Sequence, residues 1–299
     1  MYTHYNAPEA NAGTSAIANG PDGALWFTEV GVNRIGRITT TGVVTDYPIP
    51  MQNALAIPSG FIAAGSDGAL WFTEWNKNVG TVAIGRITTA GSATQYLTGY
   101  NMPEDITLGP DRNMWFTVAV IQVAKITPSG SITYYINGGA GFDGVEQITT
   151  GPDGALWFTE EITTSSGHID GIGRITTAGT AEQYFAGISP NAYPYGIATG
   201  SDGALWFTES RIPGRIGRIT TSGKVTEFTA GTGFNQLIVP GPDGALWFTS
   251  VEPSQIGRIT TAGAVTMYPY SGEGLVFGPD GALWFTLGEG GIGRLQFSH

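Results

Sequence analysis

Short apolar runs separated by glycine-rich turns recur along the chain about every 40 to 45 residues. One apolar run, such as Gly60–Ala64, precedes a Pro-Asp-Gly or Ser-Asp-Gly turn, and the run Ala-Leu-Trp-Phe-Thr follows that turn. The run Ile-Gly-Arg-Ile-Thr comes next, and a Thr-Ala-Gly type turn leads to a fourth run, such as Val225–Phe228. Short runs rich in aromatic and β-branched residues are typical of strands, so each unit predicts four β-strands.

Seven such units follow one another, and each carries one tryptophan in its second strand. These tryptophans are Trp26, Trp71, Trp115, Trp157, Trp206, Trp247 and Trp284. Four strands in a unit of this length are the signature of a propeller blade. A solenoid is the alternative, but it needs distinct polar caps, and the sequence shows none. We therefore expect an all-β fold in which residues 1–299 form a single domain, a seven-bladed β-propeller of four-stranded blades.

The two ends of the chain complement each other. The seventh unit stops after its third strand, at Ile292–His299, while the segment Tyr2–Ala7 resembles fourth strands such as Thr45–Pro48. If this segment completes blade 7, the ring has no open sheet edge. The sequence thus predicts a propeller closed by its N-terminal strand.

The composition restricts the partners that we expect. The chain has 46 Gly, no Cys, 12% charged residues and a net charge of −11. A surface this acidic repels phosphate backbones, so we do not expect a general nucleic-acid-binding protein. The sequence has no basic run that could bind anionic lipid. It also has no apolar stretch near the roughly 18 residues that a membrane span needs. We expect a monomer without nucleic-acid or membrane partners, either cytoplasmic or secreted with its signal peptide removed. The absence of cysteine fits both compartments.

Some polar residues recur in every unit, and we assign them to the shared scaffold. The repeated turn aspartates are Asp22, Asp67, Asp111, Asp153, Asp202, Asp243 and Asp280. The repeated third-strand cations are Arg37, Arg86, Lys125, Arg174, Arg218, Arg258 and Arg294. We expect each aspartate to bind this cation or turn amides, and each repeated tryptophan to act as a wedge between blades.

Function is expected where the blades differ, around the mouth of the channel. The first strand begins and the second strand ends at this face of a propeller. The first-strand entry positions are Ser15, Gly60, Glu104, Glu146, Tyr195, Gln236 and Glu273. The residues after Trp-Phe-Thr are Glu29, Glu74, Val118, Glu160, Glu209, Ser250 and Leu287. Seven of these fourteen residues are Glu, so the sequence predicts an acidic rim that attracts cations.

The two sets of positions suggest different roles. The more variable entry positions give the preferred candidates for binding a small molecule or cationic ligand: Glu104, Glu146, Tyr195, Gln236 and Glu273. Clustered carboxylates can also recruit a divalent metal such as magnesium or calcium. The metal candidates are Glu29, Glu74, Glu160, Glu209 and Glu289. Four of these glutamates directly follow Trp-Phe-Thr. Instead of binding a metal, they can have a structural role, in which each pairs with backbone amides or with a third-strand arginine.

Two longer connections between second and third strands make the ring asymmetric. In blade 2 the extra residues are Trp75–Asn78, and in blade 4 they are Thr163–His168, which we place in loops above the mouth. Trp75 lies outside the tryptophan repeat, so it is a ligand-contact candidate, with packing on its own blade as the alternative. His168 is interpreted as a solvated loop residue rather than a base.

The repeated Trp-Phe-Thr-Glu and Ile-Gly-Arg-Ile-Thr-Thr phrases, with N-terminal closure, resemble the virginiamycin B lyase (streptogramin B lyase) family over nearly the whole chain. The resemblance implies a seven-bladed propeller and magnesium-dependent, non-hydrolytic opening of a cyclic depsipeptide by C–O elimination. It also implies a histidine base at the entry of blade 7, where this chain has Glu273.

Other family positions also differ in this chain. A family glutamate after the second strand of blade 7 corresponds by strict register to Gly288, and Glu289 matches only after a shift of one residue. A family tyrosine at the entry of blade 1 corresponds to Ser15, whereas Tyr195 keeps the phrase in blade 5. Three functions stay open. They are a binding propeller without the family's histidine base, a divergent lyase with Glu273 as the catalytic base, and a protein-interaction scaffold.

Overall fold

The computed structural model describes residues 1–50, 57–76, 80–99, 102–119, 122–136, 144–164 and 167–297. In this part of the chain the strands form seven antiparallel sheets of four strands each, arranged as the blades of a propeller. This confirms the expected all-β fold. No helix in these ranges is long and apolar enough to cross a membrane.

The strands are numbered in chain order, and blades 1 to 7 are counted from the first complete sheet. The first strands of blades 1 to 7 are β2 (Thr14–Asn19), β6 (Ile57–Ala64), β10 (Pro103–Leu108), β14 (Gly144–Thr150), β18 (Pro194–Thr199), β22 (Phe234–Pro240) and β26 (Leu275–Phe277). The second strands are β3 (Leu25–Glu29), β7 (Ala69–Asn76), β11 (Met114–Val118), β15 (Leu156–Thr164), β19 (Leu205–Glu209), β23 (Leu246–Val251) and β27 (Leu283–Thr286).

The outer half of each blade has the same order. The third strands are β4 (Arg34–Ile38), β8 (Thr81–Thr88), β12 (Gln122–Ile126), β16 (Gly167–Ile175), β20 (Arg215–Ile219), β24 (Gln255–Ile259) and β28 (Gly291–Leu295). The fourth strands are β5 (Val44–Pro48), β9 (Ala93–Gly99), β13 (Ile132–Ile136), β17 (Ala181–Tyr184), β21 (Val225–Thr229), β25 (Val265–Tyr268) and β1 (Tyr2–Asn6). First strands contact first strands of neighbouring blades, so they line the central channel.

Blade 7 is assembled from both ends of the chain, as the sequence predicts. Its strand order is β26, β27, β28 and β1, and Tyr5 of β1 lies opposite Ile292 of β28. The ring of Tyr5 stacks on Trp284 with centroids 5.6 Å apart. The N-terminal strand therefore supplies both the last ladder of hydrogen bonds and part of the core of blade 7.

The repeated aspartate, tryptophan and cation form one motif in each blade. In blade 1, Asp22 accepts hydrogen bonds from Trp26 Nε1 at 3.0 Å and from Arg37 Nε at 2.7 Å. The Arg37 guanidinium also lies 6.0 Å from the Trp26 ring centroid. Burial raises the pKa of Asp22, but these hydrogen bonds outweigh that effect and hold the pKa below its usual range. The scaffold role is confirmed, because the same pairing recurs in all seven blades.

Each repeated tryptophan fills the space between its own blade and the next. Trp26 packs against Leu70 and Ile87 of blade 2, and the ring of Tyr47 on the fourth strand stacks on it with centroids 5.5 Å apart. The same stacking joins the tryptophan and the fourth-strand aromatic residue of every other blade. The core is thus a series of aromatic layers between blades.

The longer connections of blades 2 and 4 extend their hairpins. Backbone pairing continues to Asn76 opposite Thr81 in blade 2, and to Thr164 opposite Gly167 in blade 4. His168, which the sequence places in a loop, instead lies in β16 with its backbone opposite Thr163. Residues 77–79 and 165–166 at the hairpin ends lie outside the described residues.

Candidate ligand-binding site

The threonine of each Trp-Phe-Thr run connects neighbouring blades at the channel mouth. The hydroxyl of Thr159 accepts a hydrogen bond from Gln147 N of its own blade at 3.1 Å. The same hydroxyl donates to the carbonyl of Tyr195, the entry residue of the next blade, at 2.7 Å. The first bond recurs in every blade, and the second in blades 1, 3, 4, 5 and 7. These buried bonds fix the backbone of the entry positions.

Six of the seven entry residues line one cavity of about 560 Å³ at the channel mouth: Ser15, Gly60, Glu104, Tyr195, Gln236 and Glu273. In blades 6 and 7, the residues after Trp-Phe-Thr, Ser250 and Leu287, also line it. Cavities of about 300–1,000 Å³ are typical of small-molecule sites. The structure therefore brings most of the entry positions together around a space that can hold a drug-sized compound.

Glu104 of blade 3 lines this mouth, and Glu146 of blade 4 lies close enough to affect its charge without being a lining residue. Burial, and then the charge of Glu146, raises the pKa of Glu104 to about 7. Burial also raises the pKa of Glu146. Burial and the neighbouring acids raise the pKa of Tyr195 to about 12. Because each acid raises the pKa of its neighbours, a cation placed among them favours their ionised forms.

Asp105 is a further acid next to Glu104, and sequence reasoning missed it. Its Oδ1 accepts a hydrogen bond from Ile106 N at 2.7 Å, and its Oδ2 accepts one from Ile148 N of blade 4 at 2.9 Å. Burial raises its pKa to about 7 even though these bonds favour the charged form. The repeats contained a signal for it, because the other blades have no acid at this position: Ala16, Phe61, Gln147, Gly196, Leu237 and Gly274.

Glu273 lies across the channel from Glu104, at the entry of blade 7. Its amide donates to the carbonyl of Thr286 at 3.0 Å, and partial burial raises its pKa. Its carboxyl group lies against Gly288, where an added Cβ would be only 2.5 Å from Glu273 Oε1. Gly288 also has a φ of 76°, which favours glycine. The Glu273 carboxyl therefore occupies the space that a side chain at position 288 would need.

Other residues that line the cavity were not selected from the sequence. Phe61 and Ser271 lie within two residues of an entry position, so a wider selection along the first strands would have found them. Ser254 lies between β23 and β24, in a connection whose path the repeat does not specify. With Ser15 and Ser250, these serines add hydroxyl groups to an otherwise acidic and aromatic lining.

The glutamates that follow Trp-Phe-Thr occupy a different place from the one that the sequence suggested. Glu29, Glu74, Glu160 and Glu209 are fully buried and lie inside their blades instead of in a ring at the mouth. Gln95 Nε2 of the fourth strand donates to both carboxyl oxygens of Glu74, at 3.0 and 2.9 Å. Gln183 Nε2 donates to Glu160 Oε2 at 3.2 Å. In blades 2 and 4 the partner is thus a glutamine on the fourth strand, whereas in blades 1 and 5 a third-strand arginine lies opposite the glutamate.

In blades 1 and 5 the fourth-strand residue beside this glutamate is also acidic. A third-strand arginine forms an ion pair with that fourth-strand acid. Arg34 Nη1 lies 3.0 Å from Asp46 Oδ2, and Arg215 Nη1 lies 2.7 Å from Glu227 Oε2. Blades 2 and 4 have glutamine on the fourth strand and no arginine at this third-strand position. Burial is the main reason that the pKa is raised, to about 7 for Glu29 and to about 8 for Glu74, Glu160 and Glu209.

Two further candidates lie away from the cavity lining. Trp75 pairs with Val82 in the extended hairpin of blade 2, and 37% of its surface is exposed. Glu289 is exposed in the turn between β27 and β28, where its amide donates to the Leu287 carbonyl at 2.9 Å. Among the described residues, neither side chain contributes to the wall of the mouth.

The described residues do not form a ready-made metal site. No three His, Asp or Glu side chains among them are grouped closely enough to hold a metal ion. The four buried metal candidates lie in four different blades, and Asp105 already accepts hydrogen bonds from two backbone amides. The five metal candidates lie in five different blades, so they do not converge on the single magnesium ion that the resemblance implies. No step of the function proposed below uses it.

Comparisons with known proteins agree with this architecture. The model of the virginiamycin B lyase family matches residues 1–138 and 98–299. The chain belongs to the virginiamycin B lyase family. Among curated proteins, none matches the chain.

Solved structures of family members cover the whole chain. Virginiamycin B lyase from Staphylococcus aureus is 34% identical over 100% of this chain and 99% of that chain, with a TM-score of 0.85. A streptogramin B lyase structure is 32% identical over 100% and 98% of the two chains, with a TM-score of 0.84. A catalytically inactive His-to-Ala variant of the Staphylococcus aureus lyase with quinupristin is 32% identical over 100% and 99%, with a TM-score of 0.84.

Proposed function

We propose that this member of the virginiamycin B lyase family binds a drug-sized organic cation, an ammonium or guanidinium compound, at the channel mouth. The observation that carries the proposal is the placement of Glu104 and Glu273 on opposite sides of one cavity of about 560 Å³, with Glu146 beside Glu104. The net charge of −11 adds a long-range attraction for cations.

The chemistry of the lining suits a ligand with an apolar body and a charged end. Phe61 and Tyr195 offer aromatic surface, which contacts an apolar body and attracts a cation through the ring face. The Glu104 carboxyl, with a pKa of about 7, is partly protonated near neutral pH. A bound cation stabilises its ionised form, so binding releases protons and becomes tighter as the pH rises through about 7.

Calorimetric titration tests this proposal with charged probes and uncharged compounds of the same shape. Phenylbutylamine and benzamidine are the probes, and phenylbutanol and benzamide are their uncharged counterparts. We expect the charged compounds to bind at least about tenfold more tightly, and the double variant Glu104→Gln/Glu273→Gln to remove this preference.

The exposed acid Glu182 on the outer strand β17 provides the control, since Glu182→Gln changes the net charge but not the mouth. Equal affinity for charged and uncharged compounds, or an equal effect of Glu182→Gln, argues against a cation site at the mouth.

A divergent lyase is the second candidate, favoured by 34% identity to a virginiamycin B lyase over the whole chain. We propose for this case that Glu273, at the entry position of blade 7, removes a proton while the C–O bond of a cyclic depsipeptide breaks. Glu273 takes the proton, the electron pair of the C–H bond forms the new double bond, and the electron pair of the C–O bond stays on the released carboxylate. The proton then passes from Glu273 to that carboxylate or to solvent, so the product is linear and, in its neutral form, has unchanged mass.

Incubation with quinupristin, the compound bound to the inactive relative, tests this second function. Chromatography should separate a linear product of the same mass, and Glu273→Gln should abolish it while Glu289→Gln leaves it unchanged. Recovery of the intact cyclic compound after prolonged incubation rejects the lyase reaction for this chain.

A further inference from the structure

A second cavity lies at the opposite end of the strands from the channel mouth, between blades 6 and 7. Its volume is about 260 Å³. The residues that line it include Asp243, Trp247, Arg258, Tyr268, Phe277 and Phe297, and we call it the seam pocket. The Pro-Asp-Gly turn that carries Asp243 joins the end of the first strand to the second, so the seam pocket shares no wall with the mouth cavity.

The closure of the ring explains why a pocket occurs at this seam. At the other six seams, the turn between third and fourth strands places a glycine on the fourth-strand aromatic residue of the preceding blade. An added Cβ at Gly263, for example, would lie 2.4 Å from the Phe228 ring. Equivalent contacts occur at Gly42, Gly91, Gly130, Gly179 and Gly223. Blade 7 has no such turn, because its third and fourth strands, β28 and β1, come from opposite ends of the chain.

Phe297 covers part of the space that the missing turn leaves. Its ring centroid lies 4.8 Å from that of Trp247 and 5.7 Å from that of Tyr268, and both contacts are tilted or edge-on instead of stacked. The ring of Phe297 is therefore not stacked on either of these rings, and a cavity of about 260 Å³ remains beside it. The remaining volume is bounded by aromatic faces and edges, an environment that favours a further planar ring.

The scaffold motif of blade 6 is correspondingly more open than its six copies. The side chain of Asp243 is 38% exposed, whereas the other turn aspartates are 15–20% exposed. The bond from Trp247 Nε1 to Asp243 is 3.3 Å long, compared with 2.9–3.1 Å in the other blades. In blade 6 the aspartate of the motif is therefore more open to solvent, while Arg258 is 25% exposed, the same as Arg218 of blade 5, and Trp247 stays buried.

The polar wall of the pocket contains both members of the Asp243–Arg258 ion pair. Arg258 Nε donates to Asp243 Oδ2 at 2.6 Å, while its two terminal nitrogens have no partner among the described residues. In blade 7 a terminal nitrogen of the equivalent Arg294 donates to Gln296 Oε1 at 2.7 Å. Because guanidinium nitrogens bind carboxylates with high geometric complementarity, Arg258 favours an acidic group on a ligand ring.

We propose that the seam pocket binds a small aromatic carboxylate, whose ring packs among Trp247, Tyr268 and Phe297 and whose carboxylate pairs with the terminal nitrogens of Arg258. The volume suits a compound of one or two rings, below the size of typical drug sites. This site is independent of the proposed function, because it uses other residues, the opposite face and a ligand of opposite charge.

Nuclear magnetic resonance with indole-3-carboxylate as the probe tests the site directly. The indole N–H resonance of Trp247, assigned by its disappearance in Trp247→Phe, should shift in a saturable way as the probe is added. Arg258→Met should weaken binding by about tenfold or more. Uncharged indole should bind more weakly than indole-3-carboxylate to the native protein.

The repeat offers a matched control for this substitution. Arg218→Met removes the same guanidinium from blade 5, where the Gly263 turn covers the aromatic residue, and it should leave binding unchanged. If Arg258→Met fails to fold, saturation transfer from the native protein to the probe, and its loss when Phe297→Ala removes one wall, gives the second readout. No saturable shift of Trp247 at millimolar probe, or equal loss in Arg218→Met, overturns the proposal.

Discussion

At the scale of single residues, one hydroxyl group per blade determines where the variable side chains meet. Thr159 bonds to Gln147 N in its own blade and to the Tyr195 carbonyl in the next. The entry residues can therefore change between blades while their backbone stays in place. This arrangement explains how nearly identical repeats carry different side chains into one cavity.

Replacing this threonine by valine keeps its shape and removes both hydrogen bonds. Thr159→Val leaves Gln147 N and the Tyr195 carbonyl without their partner, so we expect a loss of about 1–3 kcal/mol in the free energy of unfolding. Thr226→Val, on the exposed surface of β21, should change it by less than about 0.5 kcal/mol. Urea denaturation measures both, and equal values for the two variants contradict the role of the hydroxyl.

The repeated residues were predictable from the sequence because the chain contains its own comparison. The aspartate, tryptophan and cation occur in all seven units, which indicated a scaffold role, and Asp22 indeed binds both Trp26 and Arg37. The entry positions were selected by the opposite criterion, because their residues differ between the seven units. Asp105 was missed, because its acceptor bond to Ile148 N depends on how closely two blades approach.

At the scale of the blade, the glutamate after Trp-Phe-Thr belongs to a buried polar pair that crosses three strands. Its position next to the mouth in sequence suggested a ring of acids, but Glu74 reaches Gln95 on the fourth strand. The direction of a strand-end side chain depends on the partner two strands away. The repeats held this information, because glutamine on the fourth strand accompanies glutamate on the second in blades 2 and 4.

Neutralising one of these glutamates should stabilise the protein at alkaline pH. Burial raises the pKa of Glu74 to about 8 from an ordinary value of 4.5, so the folded state holds a proton that the unfolded state releases. Between these values, each pH unit lowers the wild-type free energy of unfolding by about 1.4 kcal/mol for this group. Glu74→Gln should therefore be more stable than wild type at pH 8, and similar to it below about pH 4.5.

Thermal unfolding of the Glu74→Gln variant across this pH range provides the measurement. Glu289→Gln, which neutralises an exposed acid in the turn between β27 and β28, is the control for the change in net charge. A Glu74→Gln curve parallel to that of the wild type contradicts the assignment of a protonated buried carboxyl.

At the scale of the whole molecule, two sets of acids act in opposite pH windows. Buried Glu29, Glu74, Glu160 and Glu209 have raised pKa values, so their contribution to stability is lost as the pH rises from about 4.5 to about 8. The turn aspartates have lowered pKa values, so their contribution is lost as the pH falls below their ordinary value of 3.8. The two windows meet between pH 3.8 and pH 4.5, so we expect the highest unfolding temperature near about pH 4. A calorimetric maximum near pH 8 contradicts this account.

Closure of the ring is the second property of the whole molecule. Deleting Met1–Ala7 removes β1 and the Tyr5 ring from Trp284, and it exposes the edge of β28. We expect a lower unfolding temperature and association of the truncated chains, which light scattering detects. Deleting Met1 alone is the control. A monomeric truncated protein with an unchanged unfolding temperature contradicts closure by this strand.

The central proposal, a cation site at the acidic mouth, is tested most directly by the protons that binding releases. Calorimetric titration of phenylbutylamine at about pH 7, in two buffers of different ionisation enthalpy, measures this release. We predict buffer-dependent heats that correspond to proton release, and an affinity that increases as the pH rises through the Glu104 pKa of about 7. No heat of binding, or heats equal in both buffers with an affinity independent of pH, would contradict the proposal.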